Sequence, residues 1–304
     1  MRIVLACLLL SACSQVSRAD PEDIGDVDGQ TLLAFNGTTL FGATGGAVWR
    51  IQNGSPSRDT LFTGAGAISD FLADSAGLYF TQAPLTDEHT RLRRVALDGA
   101  GAADVGINVQ RASVRQDSEY LYWFDKSGAV PAIMRAKKSG GTAAKIADAG
   151  LTTTPEMAVD DTHVYWVDFT APVTIKRVEK AGGTPANVKV NTVATALNVD
   201  AASLHYVSKA TAPARLLSLG KDGGEPTEIA PDVDRFHADA SYLYFTTLTT
   251  AMPQRQSLSR ATPSGKLVEI LVRDMKTTTP VQLASGGGFV FWSDGKNVVK
   301  LPSQ

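Results

Sequence analysis

Three aspartates stand in a recurring context that invites chemistry: Asp125 after Tyr122-Trp123-Phe124, Asp168 after Tyr165-Trp166-Val167, and Asp294 after Phe291-Trp292-Ser293. A basic residue follows each one, at Arg135, Arg177 and Lys300, so the six could form a ring of charge on one face. Catalytic groups usually occur once, however, whereas contacts that hold repeated units together recur. The expectation is that each aspartate ends the second strand of its unit and pairs with a basic residue on the third strand of the same or an adjacent unit. A second set, Asp74, Asp117, Asp161, Asp200 and Asp239, reads as turn-forming, because a short carboxylate bonds its own backbone. The four histidines, His89, His163, His205 and His237, show no metal-ligand spacing. His205 replaces an aromatic and should pack. His237 falls on an inner strand, where it either packs or lines a channel. His89 and His163 read as exposed. There is no nucleophile elbow, and Ser264-Gly265-Lys266 lacks the rest of a phosphate loop. No cofactor is expected, and calcium has no support from the residues.

These residues are positioned by a unit that repeats. "VDDTHVYWVDFTAPVTIKRVEKAGGT", Val159 to Thr184, combines an Asp-containing turn, an apolar-aromatic strand, a strand ending in a basic residue and a Gly-Gly turn. Anchored on the aromatic position, the copies fall at Phe41, Tyr79, Tyr122, Tyr165, His205, Tyr244 and Phe291, separated by 38, 43, 43, 40, 39 and 47 residues. Periods of about 40–50 residues built from short strands mark β-propeller blades. No 3.6-residue apolar stripe of helical length competes with that reading. Each unit divides into four strands; in the copy at Tyr165 these are about Glu156 to Val159, Val164 to Asp168, Thr174 to Glu179 and Ala186 to Val190. The last copy lacks its fourth strand, and the segment from Glu22 to Val27 is free to supply it, which removes an exposed edge. The predicted fold is an all-β, seven-bladed propeller closed by an N-terminal strand, with six or eight blades as alternatives if the weak first copy is miscounted.

Composition narrows the function. With 29 Lys and Arg against 31 Asp and Glu, the chain has a formal charge of −2 and no basic stripe, which argues against nucleic acid. The longest loops between second and third strands, Gln82 to Thr90 and Thr246 to Arg255, lie on one rim with the loops that lead into the next blade. That rim makes Gln82, Asp87, His89, Asp125, Asp168, Arg255 and Asp294 the candidate binding residues, with His237 in the channel. Loops of variable sequence on a rigid scaffold are where recognition concentrates.

Two resemblances add to this. Leu10-Ser11-Ala12-Cys13, after Arg2 and the apolar run from Ile3, resembles the lipobox of bacterial lipoproteins. The resemblance implies cleavage before Cys13, diacylation of its thiol, and, with Ser14 following, the outer membrane of a Gram-negative cell. Residues 1–12 are then a signal peptide, 13–21 a lipidated cysteine and tether, and 22–304 one propeller domain. Cys7 is lost with the signal and Cys13 is capped, so the mature domain is expected to have no disulfide. The runs Tyr165-Trp166-Val167-Asp168 with Ile175-Lys176-Arg177, and Tyr122-Trp123-Phe124-Asp125 with Ile133-Met134-Arg135, look like YWTD-type repeats, of the kind seen in lipoprotein propellers of myxobacteria. The lipobox resemblance implies a lipid-anchored envelope protein, and the variable rim loops make a monomeric module that binds a protein or glycan partner the expected function. The alternative is a metal-dependent lactonase- or lyase-like propeller enzyme, for which Asn198 and Glu156 are the nearest inward candidates.

Overall fold

The computed structural model describes residues 20–27, 31–51, 57–83, 89–153, 156–210, 212–248, 256–275 and 282–303. They form seven four-stranded antiparallel sheets and no helix. Six of the sheets are simple meanders, here called blades 1 to 6, each with strands A to D in chain order. The A strands pack against one another around the axis. They are Thr31–Phe35, Ile68–Ala73, Arg115–Gln116, Met157–Val159, Ala194–Val199, Val233–Ala238 and, in blade 7, Leu283–Gly286. Blade 4 reproduces the expected unit to within one residue at each strand start: Met157–Val159, His163–Asp168, Thr174–Glu179 and Ala186–Val190.

The ring closes through the chain ends. Glu22–Asp26 pairs with Asn297–Pro302, aligning Glu22 with Lys300 and Asp26 with Asn297. The Val27 N–H continues the contact by donating to the Lys296 carbonyl. Seven blades, the seventh a composite of both chain ends, is therefore the architecture; six and eight are excluded.

Strand B carries an unbroken apolar run because sheets cover both of its faces. In blade 3, Tyr122 and Phe124 pack with Met157, Val164 and Trp166 of blade 4. Their alternates Leu121 and Trp123 pack with Tyr79 and Leu92 of blade 2. Each such aromatic removes roughly 150–250 Å² from water, about 4–6 kcal/mol of gross apolar burial. Repeated around the ring, that burial is the main adhesive between blades.

Polar clamps complete the seams. In blade 4 the turn residue is Asp160, which corrects the reading of Asp161: Asp160 Oδ1 accepts the N–H groups of Thr162 and His163 at 2.8 and 2.7 Å. Asp74, Asp117, Asp200 and Asp239 make the same turn, and Asn36 makes it in blade 1. The carboxylates also reach across. Asp117 accepts from the Tyr122 hydroxyl at 2.8 Å and pairs with Lys180 of the next blade at 2.5 Å. Asp160 does likewise with Tyr165 at 3.0 Å and Lys221 at 2.7 Å, and Asp74 pairs with the buried Lys138. Burial alone would raise the Asp117 pKa, but bonds from Lys180, the Tyr120 and Glu119 N–H groups and the Tyr122 hydroxyl outweigh it and bring it down to about 2. Burial, and then the bond to the Asp117 carboxylate, push the Tyr122 hydroxyl far up. At the blade 5 seam His205 takes the tyrosine position and its Nε2 lies 2.8 Å from Asp200.

Asp168 pairs as expected with a basic residue on strand C of its own blade, Lys176, but among the described residues none of Asp125, Asp168 and Asp294 meets Arg135, Arg177 or Lys300. Arg135 donates to the Lys180 carbonyl, Arg177 pairs with Asp222, and Lys300 pairs with Glu22. Antiparallel register is the reason: Arg135 lies opposite Tyr122 and Arg177 opposite Tyr165, at mid-strand, while the aspartates stand at the strand end.

Candidate functional site

Two faces follow from the meander. A–B and C–D turns lie on one, and B–C and D–A loops on the other, here called the loop face. The described rim candidates fall on the loop face, but their side chains are largely spent on the fold. Asp168 is buried; it accepts from the Leu151 and Thr170 N–H groups at 3.1 and 2.9 Å and pairs with Lys176 at 2.7 Å. Burial opposes ionisation there, but Lys176 and the Thr170 N–H hold its carboxyl below the usual range. Asp125 accepts from the Ser127 N–H at 2.7 Å, and Asp294 from those of Lys296 and Asn297 at 2.9 and 2.7 Å. Gln82 is buried, donating to the Gly66 carbonyl at 3.2 Å and accepting from Arg93 at 3.1 Å. His89 is exposed and lies against the Asn108 side chain, and half-buried His163 packs on Tyr165. Cys13, Asp87 and Arg255 lie outside the described residues.

What sequence reading missed on this face is apolar. Ile107, Val130 and Leu151 are 52%, 51% and 51% exposed, and Val190, Val193 and Leu248 are exposed as well. All six stand on the loop face: Val130 in a B–C loop, Ile107, Leu151 and Val193 in D–A loops, and Val190 and Leu248 at strand ends that lead into such loops. The loops are stitched to each other by backbone bonds, Lys126 N–H to Asn108 O at 3.1 Å, Ala149 to Pro131 at 2.8 Å, Phe169 to Leu151 at 2.7 Å and Thr192 to Val173 at 3.1 Å. The aliphatic groups are therefore held out on a firm support. Nothing periodic marks them in the sequence, since each is a lone residue in an irregular loop.

The second feature is the axial channel, a cavity of about 560 Å³ walled by the A strands. His237 lies on its wall, as one of its two readings had it, with Nε2 3.1 Å from Ser285 Oγ; burial pushes its pKa down, so it is neutral. Asp70, Arg115, Glu156, Asn198 and Arg235 share the wall. Asp70 closes the seam to blade 3: Oδ2 accepts from Thr81 Oγ1 at 2.5 Å and the Ala112 N–H at 2.9 Å, and Oδ1 from the Val114 N–H at 3.1 Å. Glu156 closes the seam to blade 5 by accepting the Leu197 N–H at 3.3 Å. Among the described residues no three His, Cys, Asp or Glu side chains converge as metal donors.

No protein-family model matches the chain, and no curated protein matches it. Solved structures do. The chain is similar to a YWTD-type propeller of a nidogen/laminin complex, at 17% identity over 80% of this chain and 93% of that one, with a TM-score of 0.53. It is similar to an oligogalacturonate lyase from Vibrio parahaemolyticus, at 11% identity over 94% and 97% with a TM-score of 0.64. It also resembles a puromycin-hydrolyzing peptidase of Mycobacterium tuberculosis, at 15% identity over 93% of this chain but 53% of that one, with a TM-score of 0.62. The chain has the propeller fold. At such identities fold is all that the likeness carries, and these neighbours include binding proteins and enzymes alike.

Proposed function

We propose that the protein is a lipid-anchored binding propeller of the cell envelope, held to the membrane through Cys13 and docking a protein partner on its loop face. The observation that supports the reading is that Ile107, Val130, Leu151, Val190, Val193 and Leu248, six of the nine exposed large aliphatics among the described residues, stand on that one face, the other three lying on the outer strand of blade 6 or the turn before it. Exposed apolar groups concentrated on one side of a soluble fold mark interaction surfaces. Their aliphatic character favours a protein over a glycan, because sugars stack on aromatic rings and none of these six is aromatic. The enzyme alternative needs an acid or base free to act, and the channel acids Asp70 and Glu156 are engaged by backbone N–H groups. A photo-crosslinking residue at position 151 of the full-length chain, compared in cells with one at position 268 on the outer strand of blade 6, tests the docking face. One discrete adduct at position 151, lost in Val130→Glu and absent at position 268, is the expected result. Equal adducts at both positions, or an adduct removed by glycosidase, overturn the protein-docking reading. Cys13→Ser tests the anchor separately: it should move the protein from the membrane to the soluble fraction.

A further inference from the structure

The channel wall is two-sided. Counting back two residues from each A–B turn gives Ala34, Leu72, Arg115, Ala158, Asn198, His237 and Ala284, one from each blade in order. All but Ala158 line the cavity. Blades 7, 1 and 2 are adjacent in the ring, so Ala284, Ala34 and Leu72 form a continuous apolar arc, which Leu32 and Leu283 extend. Arg115, Asn198 and His237 belong to blades 3, 5 and 6: blades 3 and 6 flank that arc, and blade 5 lies across the axis from it.

The two sides differ in how their polar groups are spent. Both carboxylates of the wall are turned into blade seams, Asp70 on the Ala112 and Val114 N–H groups and Glu156 on that of Leu197. The donors are not. Arg115 gives one N–H to the Val114 carbonyl at 2.9 Å and its charge also acts on the Asp70 carboxylate, but its other guanidinium N–H groups have no hydrogen-bond partner among the described residues. Among the described residues the Asn198 side chain has none either, and Arg235 lies 4.0 Å from Asp234. His237 adds a neutral ring that meets Ser285. A partly buried cavity thus offers donors from blades 3, 5 and 6 and hydrocarbon from blades 7, 1 and 2, where it is interrupted by Ser69, Asp70, Gln282 and Ser285, within the roughly 300–1,000 Å³ of small-molecule sites.

From this we infer a second binding site: the axial channel takes a small organic anion, a carboxylate with an apolar body, its charged end on Arg115 and Asn198 and its hydrocarbon against Leu72 and Leu32. Guanidinium–carboxylate contacts in a confined site are among the stronger hydrogen bonds. The site is independent of the docking face, because none of the six loop-face aliphatics lines it.

Isothermal titration of the full-length chain with hexanoate, hexylammonium and inorganic phosphate at fixed ionic strength tests the assignment. Hexanoate should bind, phosphate more weakly and hexylammonium not at all. Arg115→Gln should weaken hexanoate at least about tenfold, and Leu72→Asn should weaken hexanoate while leaving phosphate unchanged. Asn198→Ala, which removes a donor without touching a seam, serves as the second variant should Arg115→Gln lower the melting temperature. Absence of hexanoate binding up to about 10 mM, hexylammonium binding as tightly as hexanoate, or indifference of hexanoate binding to both Arg115→Gln and Asn198→Ala would overturn the proposal.

Discussion

At the scale of single residues, burial decides which ion pairs matter. Lys180 and Asp117 are 18% and 16% exposed and share their site with the Tyr122 hydroxyl. Removing the lysine leaves a carboxylate in partly desolvated surroundings, so Lys180→Met should lower unfolding free energy by about 2–3 kcal/mol, less than the full cost for a buried pair. Lys189 with Glu225 looks similar on paper, but Glu225 is 92% exposed, and Lys189→Met should leave the urea midpoint in place. The same carboxylate sets a pH response. The folded pKa of Asp117, about 2, lies below the ordinary value near 3.9, so its stabilisation is complete above that ordinary value and is lost as pH falls through the folded one. Asp160, held lower still by Lys221 and the His163 and Thr162 N–H groups despite burial, acts in the same direction. Urea titrations between pH 4 and pH 2 should therefore show falling stability, with a visibly shallower fall in Asp117→Asn. An unchanged slope in that variant would mean that other carboxylates carry the acid sensitivity.

At the scale of strands, blade 1 shows how a repeat hides. The residue after the strand-B anchor is Phe80, Trp123, Trp166, Tyr206, Phe245 or Trp292 in six blades, but Gly42 in blade 1. Its register partner on strand C is Trp49, and a Cβ on Gly42 would come within 2.1 Å of the Trp49 ring. The aromatic has moved across the hairpin, so the volume is filled while the motif vanishes from strand B. Gly42→Ala should thus cost about 2 kcal/mol or more through overpacking, and Gly42→Ala with Trp49→Leu should recover part of it, a coupling readable in a double-mutant cycle of urea midpoints. Elsewhere the strands were legible because the Asp turn, the aromatic run and the Gly-Gly turn keep their order. The clamps were not, since Lys138 meets Asp74 across 64 residues of chain and nothing local announces it. The channel wall was only half legible. His237 could be placed, but Arg115 sits on a two-residue strand without periodicity, and the bulges between Thr195 and Asn198 and between Val233 and Arg235 reset which side chains face inward.

At the scale of the whole molecule, stability is a matter of closure, because a ring of blades has no free seam only while its ends meet. The strand Glu22–Asp26 covers the edge of Asn297–Pro302. Val27, 2% exposed, joins Leu33, Trp49, Phe291 and Val298 in the cluster between blades 7 and 1, with Ile24 packed beside it. A chain beginning at residue 31 loses both contributions: the apolar burial of two aliphatic side chains and the pairing that satisfies one edge of the last sheet. The first lowers the melting temperature by about 5–15 °C relative to a chain beginning at residue 20. The second leaves an open edge that recruits another chain. Calorimetry should show the drop, and light scattering should show association that grows with concentration. A synthetic peptide of residues 20–30 should reverse both saturably, since it restores the missing strand in trans. If the shortened chain melts like the longer one and stays monomeric, the seam between blades 7 and 1 is held by strand-B aromatics alone, and the N-terminal strand is decoration on a ring already closed.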